Sequence, residues 1–113
     1  MKKRYLITYD LNSKGQDYDN VIKAIKDASD GCWATYWKSS FLIRSNHSTA
    51  NEIFETIKPY LDPNDRLIIM EVTSNYQGWL NEKQWEFVNN TIFLGLLILS
   101  ALFNSVTVFS LTP

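Results

Sequence analysis

The sequence predicts one α+β domain in which two helices cover one face of a four-stranded antiparallel sheet. With 113 residues, the chain has room for a single hydrophobic core. Four short segments are rich in β-branched and aromatic residues, as strands are. Two further segments repeat apolar residues at spacings of three and four, as amphipathic helices do.

A polar turn separates the first predicted strand from the first predicted helix. The strand spans Tyr5–Tyr9 and closes on Asp10, and the turn covers residues 11–16. An apolar stripe then predicts the helix, with Asp17 as its N-cap and Gly31 as its left-handed end. The stripe consists of Tyr18, Val21, Ile22, Ile25 and Ala28.

The middle of the chain predicts a hairpin, a second helix and a fourth strand. In chain order these are strands at residues 32–38 and 41–44, a helical stripe at residues 50, 53, 54 and 57, and a strand at residues 66–73. Thr49 and Glu52 have the spacing of a capping box, and Pro59 ends the helix. The resulting order, β-α-β-β-α-β, is that of the ferredoxin-like fold.

Both faces of the predicted sheet carry apolar residues. In the fourth strand, Leu67 and Ile69 point to one face, whereas Ile68, Met70 and Val72 point to the other. Two helices cover only one face, and an exposed apolar face of this size is rare in monomers. We therefore expect the second face to pack against a second protomer or against the C-terminal segment.

The C-terminal part of the chain is hydrophobic. A short helix is predicted at residues 81–88, and residues 87–113 carry no charged side chain. We therefore divide the chain into a domain at residues 1–90 and a hydrophobic extension at residues 91–113. The extension is long enough for a membrane span of about 20 residues, but its second half is polar at many positions. Three alternatives stay open: a membrane anchor, an arm that covers the sheet or exchanges in a dimer, and a tail foreign to the fold.

Composition limits the possible partners. The net charge of −1 provides no general basic field for nucleic acid, so phosphate binding would need a local patch or a metal ion. Cys32 is the only cysteine, which excludes an internal disulfide and a cysteine-based zinc site. The short apolar run after the basic N-terminus is unlike a signal peptide. These features predict a cytoplasmic protein, with membrane association if the extension is an anchor.

Asp10 is the main candidate functional residue. It lies at the tip of a strand beside a polar loop that carries Lys14, a position at which sheets often place ligand-binding groups. From the residues alone, Asp10 either caps the turn at Leu11 or binds a metal ion or phosphate. The four tryptophans either stack single-stranded bases or pack in the core and interfaces, and we favour packing because few arginines accompany them. They are Trp33, Trp37, Trp79 and Trp85.

Five segments of the chain carry a family resemblance. They are Tyr5–Leu11, Leu11–Tyr18, Trp37–Phe41, Asp65–Val72 and Gly78–Leu80. Together with the order of elements, these segments resemble the CRISPR-associated protein 2 superfamily of small ferredoxin-like nucleases, and within it the SinR-type branch of solitary members. The resemblance covers residues 1 to about 90.

The resemblance implies a homodimer in which the Asp10 carboxylates of the two protomers approach each other. In the family's nucleases this pair holds a divalent ion, Mg²⁺ or Mn²⁺, which activates water for phosphodiester cleavage. Lys14 and Lys38 would then neutralise phosphate, and Ser39 would donate a hydrogen bond to it. The substrate expected from the resemblance is RNA in preference to duplex DNA.

Three further residues are matched through the resemblance. Tyr9 corresponds to the aromatic residue before the family's Asp, and Ser39 and Phe41 correspond to a serine and an aromatic residue of its hairpin. Several members carry arginines in the loop after the Asp, whereas this loop offers only Lys14. The leading expectation is a metal-dependent nuclease. The alternative is a non-catalytic dimerisation module of a defence or toxin–antitoxin locus, tethered to a membrane or partner by residues 91–113.

Overall fold

The computed structural model of the protein describes residues 2–12 and 16–95. The chain divides into two compact units, of which the first ends at Glu71 and the second begins at Val72. From the N-terminus to this boundary, the elements are β1 (Lys3–Asp10), α1 (Gln16–Ala28), β2 (Cys32–Ala34), β3 (Ser40–Ser45), α2 (Ala50–Ile57), a 3₁₀ turn (Lys58–Tyr60) and β4 (Arg66–Val72). After it come α3 (Glu82–Phe87) and a π-helical turn (Val88–Ile92).

The four strands form one sheet in the order β2-β3-β1-β4. β3 is the antiparallel neighbour of both β1 and β2. In these ladders Thr8 lies opposite Ser40, and Ala34 lies opposite Leu42. The prediction of an α+β protein with a four-stranded antiparallel sheet is therefore confirmed.

The hydrophobic core lies between one face of the sheet and the two helices. Alternate residues of each strand enter it because side chains of a strand point to opposite faces in turn. The core residues are Tyr5, Ile7, Val21, Ala24, Ile25, Ala28, Phe41, Ile43, Ile53 and Ile57. Burial of each of the larger side chains contributes about 1.5–3 kcal/mol, which is why the apolar periodicity determines the positions of the helices.

The second face of the sheet is exposed along β4. Leu67 and Ile69 pack against the core, whereas Ile68 and Met70 are 53% and 44% exposed. The alternation predicted for this strand is therefore confirmed. The same alternation places Arg66 on the second face together with Ile68 and Met70.

The second strand is shorter than predicted. It ends at Ala34 and not at Lys38, and residues 35–39 form a loop that leaves the sheet. The hydroxyl of Thr35 donates to the Ser40 carbonyl at 2.9 Å and closes the base of this loop. A two-residue type I′ turn at Ser39 and Ser40 would need a positive φ at both positions, but only Ser39 has one, at 55°.

The predicted ends of the first helix were partly wrong. α1 begins at Gln16, so Asp17 lies in its first turn and is not the N-cap. In that turn its negative carboxylate interacts favourably with the positive end of the helix dipole. Beyond the other end, Asp30 and Gly31 both have positive φ angles, as predicted for Gly31.

Thr49 is the N-cap of α2, as predicted. The Glu52 amide donates to the Thr49 hydroxyl oxygen at 3.1 Å. The Glu52 carboxylate, however, accepts from the amide and hydroxyl of Ser48, each at 2.9 Å, and so engages the residue before the N-cap. These two hydrogen bonds lower the pKa of Glu52.

The second unit has a small aromatic cluster of its own. Asn81 and Gln84 form a reciprocal capping box at the start of α3, which confirms the predicted helix here. Tyr76 stacks on Phe93 at a centroid distance of 4.1 Å and donates a 2.6 Å hydrogen bond to Asn89 Oδ1. Burial of Trp85 completes this cluster.

The tryptophans divide between buried and exposed positions. Trp85 is buried and Trp33 packs against the core, as the packing interpretation predicts. Trp37 and Trp79 are exposed, and Trp79 is exposed over 98% of its surface. These two do not pack in the core, and for them packing in an interface stays a prediction.

The hydrophobic extension falls mainly outside the described residues, because nothing beyond Gly95 is described. Across residues 2–12 and 16–95, the protein has no helix with the length and apolar character that a membrane span requires. The domain boundary at residue 90 and the three alternatives for residues 91–113 stay predictions.

Candidate functional site

Asp10 is the last residue of β1 and is exposed. By strand alternation its side chain lies on the second face of the sheet, opposite to the face on which Tyr9 packs against the core. An open depression of about 330 Å³ lies beside it, and the residues that line this depression come from the end of β1 and the start of β4. They are Thr8, Tyr9, Asp10, Arg66, Leu67 and Ile68.

Arg66 supplies a positive charge to this depression. Its guanidinium Nη1 donates to the carbonyl oxygens of Pro63 and Asp65 at 3.2 and 2.9 Å, which holds the side chain beside the strand end. Arg66 was not predicted as a site residue from the sequence. Arg66 lies beside Asp10 because β4 is the neighbour of β1 in the sheet and begins where β1 ends, so only the order of the strands could have indicated it.

The chain that follows Asp10 is fixed by the turn before β4. The amide of Asn12 donates to Asp65 Oδ1 at 2.7 Å, and the side-chain amide of Asn12 donates to the Asn64 carbonyl at 2.8 Å. If Asp10 capped this turn, its carboxylate would accept the Asn12 amide. Asp65 accepts that amide instead, and the choice between a capping role and a ligand-binding role for Asp10 stays a prediction.

The loop at residues 35–39 reaches the same end of the sheet. The Ser39 carbonyl accepts from the Tyr9 amide at 3.0 Å and from the Thr8 hydroxyl at 3.4 Å. Lys38 is exposed in this loop. The structure thus brings Lys38 and Ser39 to the strand end that carries Asp10. Their predicted contacts with phosphate stay predictions, and Lys14 lies outside the described residues.

Tyr9 and Phe41 support the strand end from the core side. Their rings are stacked at a centroid distance of 6.3 Å, and Phe41 also meets Trp33 edge-on at 5.7 Å. The pKa of Tyr9 is raised to about 12, mainly because the side chain is partly buried and to a smaller extent because Tyr18 is close to it and forms a hydrogen bond with it. Tyr9 therefore stays protonated near neutral pH and is unsuited to act as a base.

The described part of one chain does not by itself contain a complete metal site. Within residues 2–12 and 16–95, no three His, Cys, Asp or Glu side chains are close enough together to hold a metal ion. His47 Nδ1 lies 3.5 Å from Glu52 Oε1, at the opposite end of the sheet from Asp10. A divalent ion at Asp10 would thus need oxygen ligands from a second protomer, the substrate or water.

The chain matches no known protein-family profile and no curated protein. The resemblance to the CRISPR-associated protein 2 superfamily therefore stays a prediction that depends on the motifs. The geometry of the site is independent of it. An exposed carboxylate and an exposed guanidinium share an open depression at the end of a buried strand, and this combination suits an anionic substrate bound through a cation.

Proposed function

We propose that the protein is a divalent-metal-dependent nuclease that acts as a homodimer, with Asp10 of each protomer as a ligand of Mg²⁺ or Mn²⁺ and with RNA as its preferred substrate. The observation that carries this proposal is the exposed Asp10 carboxylate, held at the end of a rigid strand in an open depression that it shares with Arg66. We also propose that the fold is ferredoxin-like, which the element order and the order β2-β3-β1-β4 support.

Two carboxylates suit the chemistry better than one. Mg²⁺ takes hard oxygen ligands in octahedral geometry, and two Asp10 side chains with phosphate oxygens and waters would provide them. Such an ion, held by Asp10, would lower the pKa of a bound water and so supply the nucleophile for hydrolysis of the phosphodiester bond, and the leaving oxygen would take a proton from solvent water.

Arg66 is well placed to assist this reaction. Charge builds up on the phosphoryl oxygens as hydroxide attacks, and a guanidinium offers two parallel donors to such oxygens. Arg66 is exposed and its orientation is fixed by two backbone carbonyls. We assign to Arg66, with Lys38, the role of binding phosphate.

The exposed strip on β4 supports a dimer with the required geometry. Ile68 and Met70 lie on the same face of the sheet as Asp10 and Arg66. If two protomers bury these apolar side chains against each other, both Asp10 residues come to lie along one interface.

Cleavage assays test the proposal directly. Labelled single-stranded RNA, duplex RNA and duplex DNA are incubated with the wild type and with Asp10→Asn, with and without Mg²⁺ or Mn²⁺. We expect metal-dependent cleavage by the wild type and none by Asp10→Asn. Asp19→Asn is the matched control, because it removes an exposed carboxylate of α1 outside the depression. Equal cleavage by wild type and Asp10→Asn, or cleavage that needs no metal, would contradict the proposal.

A second candidate function is the non-catalytic dimerisation module of a defence or toxin–antitoxin locus. The almost completely exposed Trp79 favours it, since exposed tryptophans are enriched at protein interfaces. Asp10→Asn separates the two functions, because a structural module would keep both its assembly and its activity in the cell when this carboxylate is lost. Sedimentation equilibrium would measure the assembly, and a cellular assay of the locus would measure the activity.

A further inference from the structure

The loop at residues 35–39 presents two aromatic side chains to solvent. Tyr36 and Trp37 are 37% and 39% exposed, and their rings meet edge to face at a centroid distance of 5.7 Å. The other aromatic residues of the hairpin, Trp33 and Phe41, face the core. Tyr36 and Trp37 therefore contribute little to the core, and part of each ring is free to contact a ligand.

This aromatic pair is anchored close to the candidate site. The Thr35 hydroxyl closes the loop on the Ser40 carbonyl, and the Ser39 carbonyl accepts the amide of Tyr9. Tyr9 directly precedes Asp10 in β1. The pair thus stands on a loop whose C-terminal end is bonded to the strand that carries the carboxylate.

Two cations accompany the aromatic pair. Lys38 follows Trp37 directly and is exposed, and Arg66 lines the depression beside Asp10. Proteins that bind single-stranded nucleic acid combine aromatic side chains, on which bases stack, with positive charges that follow the backbone. A duplex offers few free base faces because its bases are already stacked on one another.

We propose that Tyr36 and Trp37 stack on unpaired bases and thereby restrict the substrate of the site to single-stranded nucleic acid. This inference rests on the proposed nuclease function, since it supplies the substrate class for the same site. Phosphates of the bound strand would contact Lys38 and Arg66, and the phosphodiester beside the stacked bases would lie over the depression at Asp10.

Binding without cleavage provides the test. Fluorescence anisotropy is measured in EDTA with three labelled probes: a uridine dodecamer, a thymidine dodecamer and a blunt hairpin duplex of similar length. We expect both single strands to bind more tightly than the duplex. Trp37→Ala and Tyr36→Ala should each weaken single-strand binding by roughly tenfold, the effect of losing one stacked base. Trp37→Phe, which keeps an aromatic face, should restore most of the affinity.

Tyr60→Ala is the matched control. It removes an exposed aromatic side chain of the 3₁₀ turn that packs against α1 and α2, outside the depression at Asp10, and its single-strand affinity should equal that of the wild type. Circular dichroism of each variant checks that the fold is retained. Wild-type affinity in Trp37→Ala, duplex binding as tight as single-strand binding, or no binding of any probe would overturn the proposal. A changed oligomeric state in Trp37→Ala, without a change in single-strand affinity, would instead assign the pair to a protein interface and also overturn it.

The proposal and the nuclease function fail in different ways. If Trp37→Ala binds as the wild type does while Asp10→Asn still abolishes metal-dependent cleavage, the nuclease function stands and the stacking inference is wrong. If single strands bind through Trp37 and Tyr36 but no metal supports cleavage, the stacking inference stands and the protein is a single-strand binder.

Discussion

The two ends of β1 use their polar groups in different ways. At the end that carries Lys3 and Tyr5, side chains bond to neighbouring backbone: the Tyr5 hydroxyl donates to the His47 carbonyl at 2.8 Å and the Lys3 ammonium to the Ser48 carbonyl at 3.0 Å. At the other end, backbone and turn groups hold the chain in place while the carboxylate of Asp10 stays exposed. Polar groups at the first end stabilise the fold, whereas the second end is fixed by other residues and leaves Asp10 available to a ligand.

The largest expected effect is on the rate of cleavage, when Asp10 itself is replaced. If Asp10 is the metal ligand that we propose, Asp10→Asn should lower the rate of metal-dependent cleavage by roughly 100-fold or more. Its free energy of unfolding should stay within about 0.5 kcal/mol of the wild type, as for other exposed sites. Urea unfolding in EDTA, run beside the cleavage assay, measures both quantities. A loss of stability above about 1 kcal/mol would mean that Asp10 is a structural residue and would remove the contrast between the two ends.

Replacement of Asp65 should affect both the stability of the protein and the rate of cleavage. Its carboxylate accepts the amides of Asn12 and Asp62 at 2.7 and 3.0 Å and so fixes the chain after Asp10. Asp65→Ala should lower the free energy of unfolding by about 2 kcal/mol, because two amides lose a charged acceptor. If the protein is the nuclease that we propose, the rate of cleavage should also fall, because the chain after Asp10 is no longer fixed, while the proposed metal binding at Asp10 is retained.

Asp65→Asn tests the reason for this effect. The asparagine side chain keeps one oxygen acceptor, so about half of the loss in stability should be recovered. Chemical denaturation of the three proteins in parallel gives the comparison. Equal stability of Asp65→Ala and the wild type would show that the turn before β4 does not hold the chain after Asp10.

Tyr5 should affect stability alone. Tyr5→Phe removes the hydrogen bond to the His47 carbonyl and leaves the ring in the core, so the free energy of unfolding should fall by about 1 kcal/mol with no change in cleavage. Tyr60→Phe, at an exposed phenol, is the control and should be close to neutral. A loss of cleavage in Tyr5→Phe at unchanged stability would show that the two ends of β1 are coupled.

The sequence predicted those features of the fold that depend on local periodicity. The stripe of α1 and the alternation of Leu67 and Ile68 follow from burial of one face, which acts on every turn or every second residue. Asp10 was also predictable as a strand tip before a polar loop. Each of these signals lies within a short segment, so it can be read without knowledge of the remaining chain.

Other features of the site depend on tertiary structure and were missed for that reason. Arg66 becomes part of the site only because β4 is the neighbour of β1. The predicted strand at residues 32–38 ended early although Tyr36 and Trp37 favour strands, because the hairpin turns through a left-handed Ser39. The same early end is what exposes the aromatic pair. The part of the site that the sequence did not predict is thus the part made by chain reversal and by strand order.

The smallest expected effect is a pH dependence at the structural end. The hydrogen bonds from Ser48 lower the pKa of Glu52 in the folded protein below its ordinary value of 4.5. A lowered pKa means that the ionised carboxylate stabilises the fold above its ordinary pKa, and that this contribution is lost as the pH falls through the lowered value. The wild type should thus be more stable than Glu52→Gln near neutral pH, and the difference should close in acid. Urea unfolding of both proteins between about pH 7 and about pH 3 measures this difference in stability.

Ser48→Ala is the control for this prediction. It keeps the amide donor to Glu52 and loses the hydroxyl donor, so its stability should depend on pH with the same sign but less strongly than that of the wild type. A difference that stays constant over this range would show that the hydrogen bonds from Ser48 do not stabilise the ionised Glu52 carboxylate.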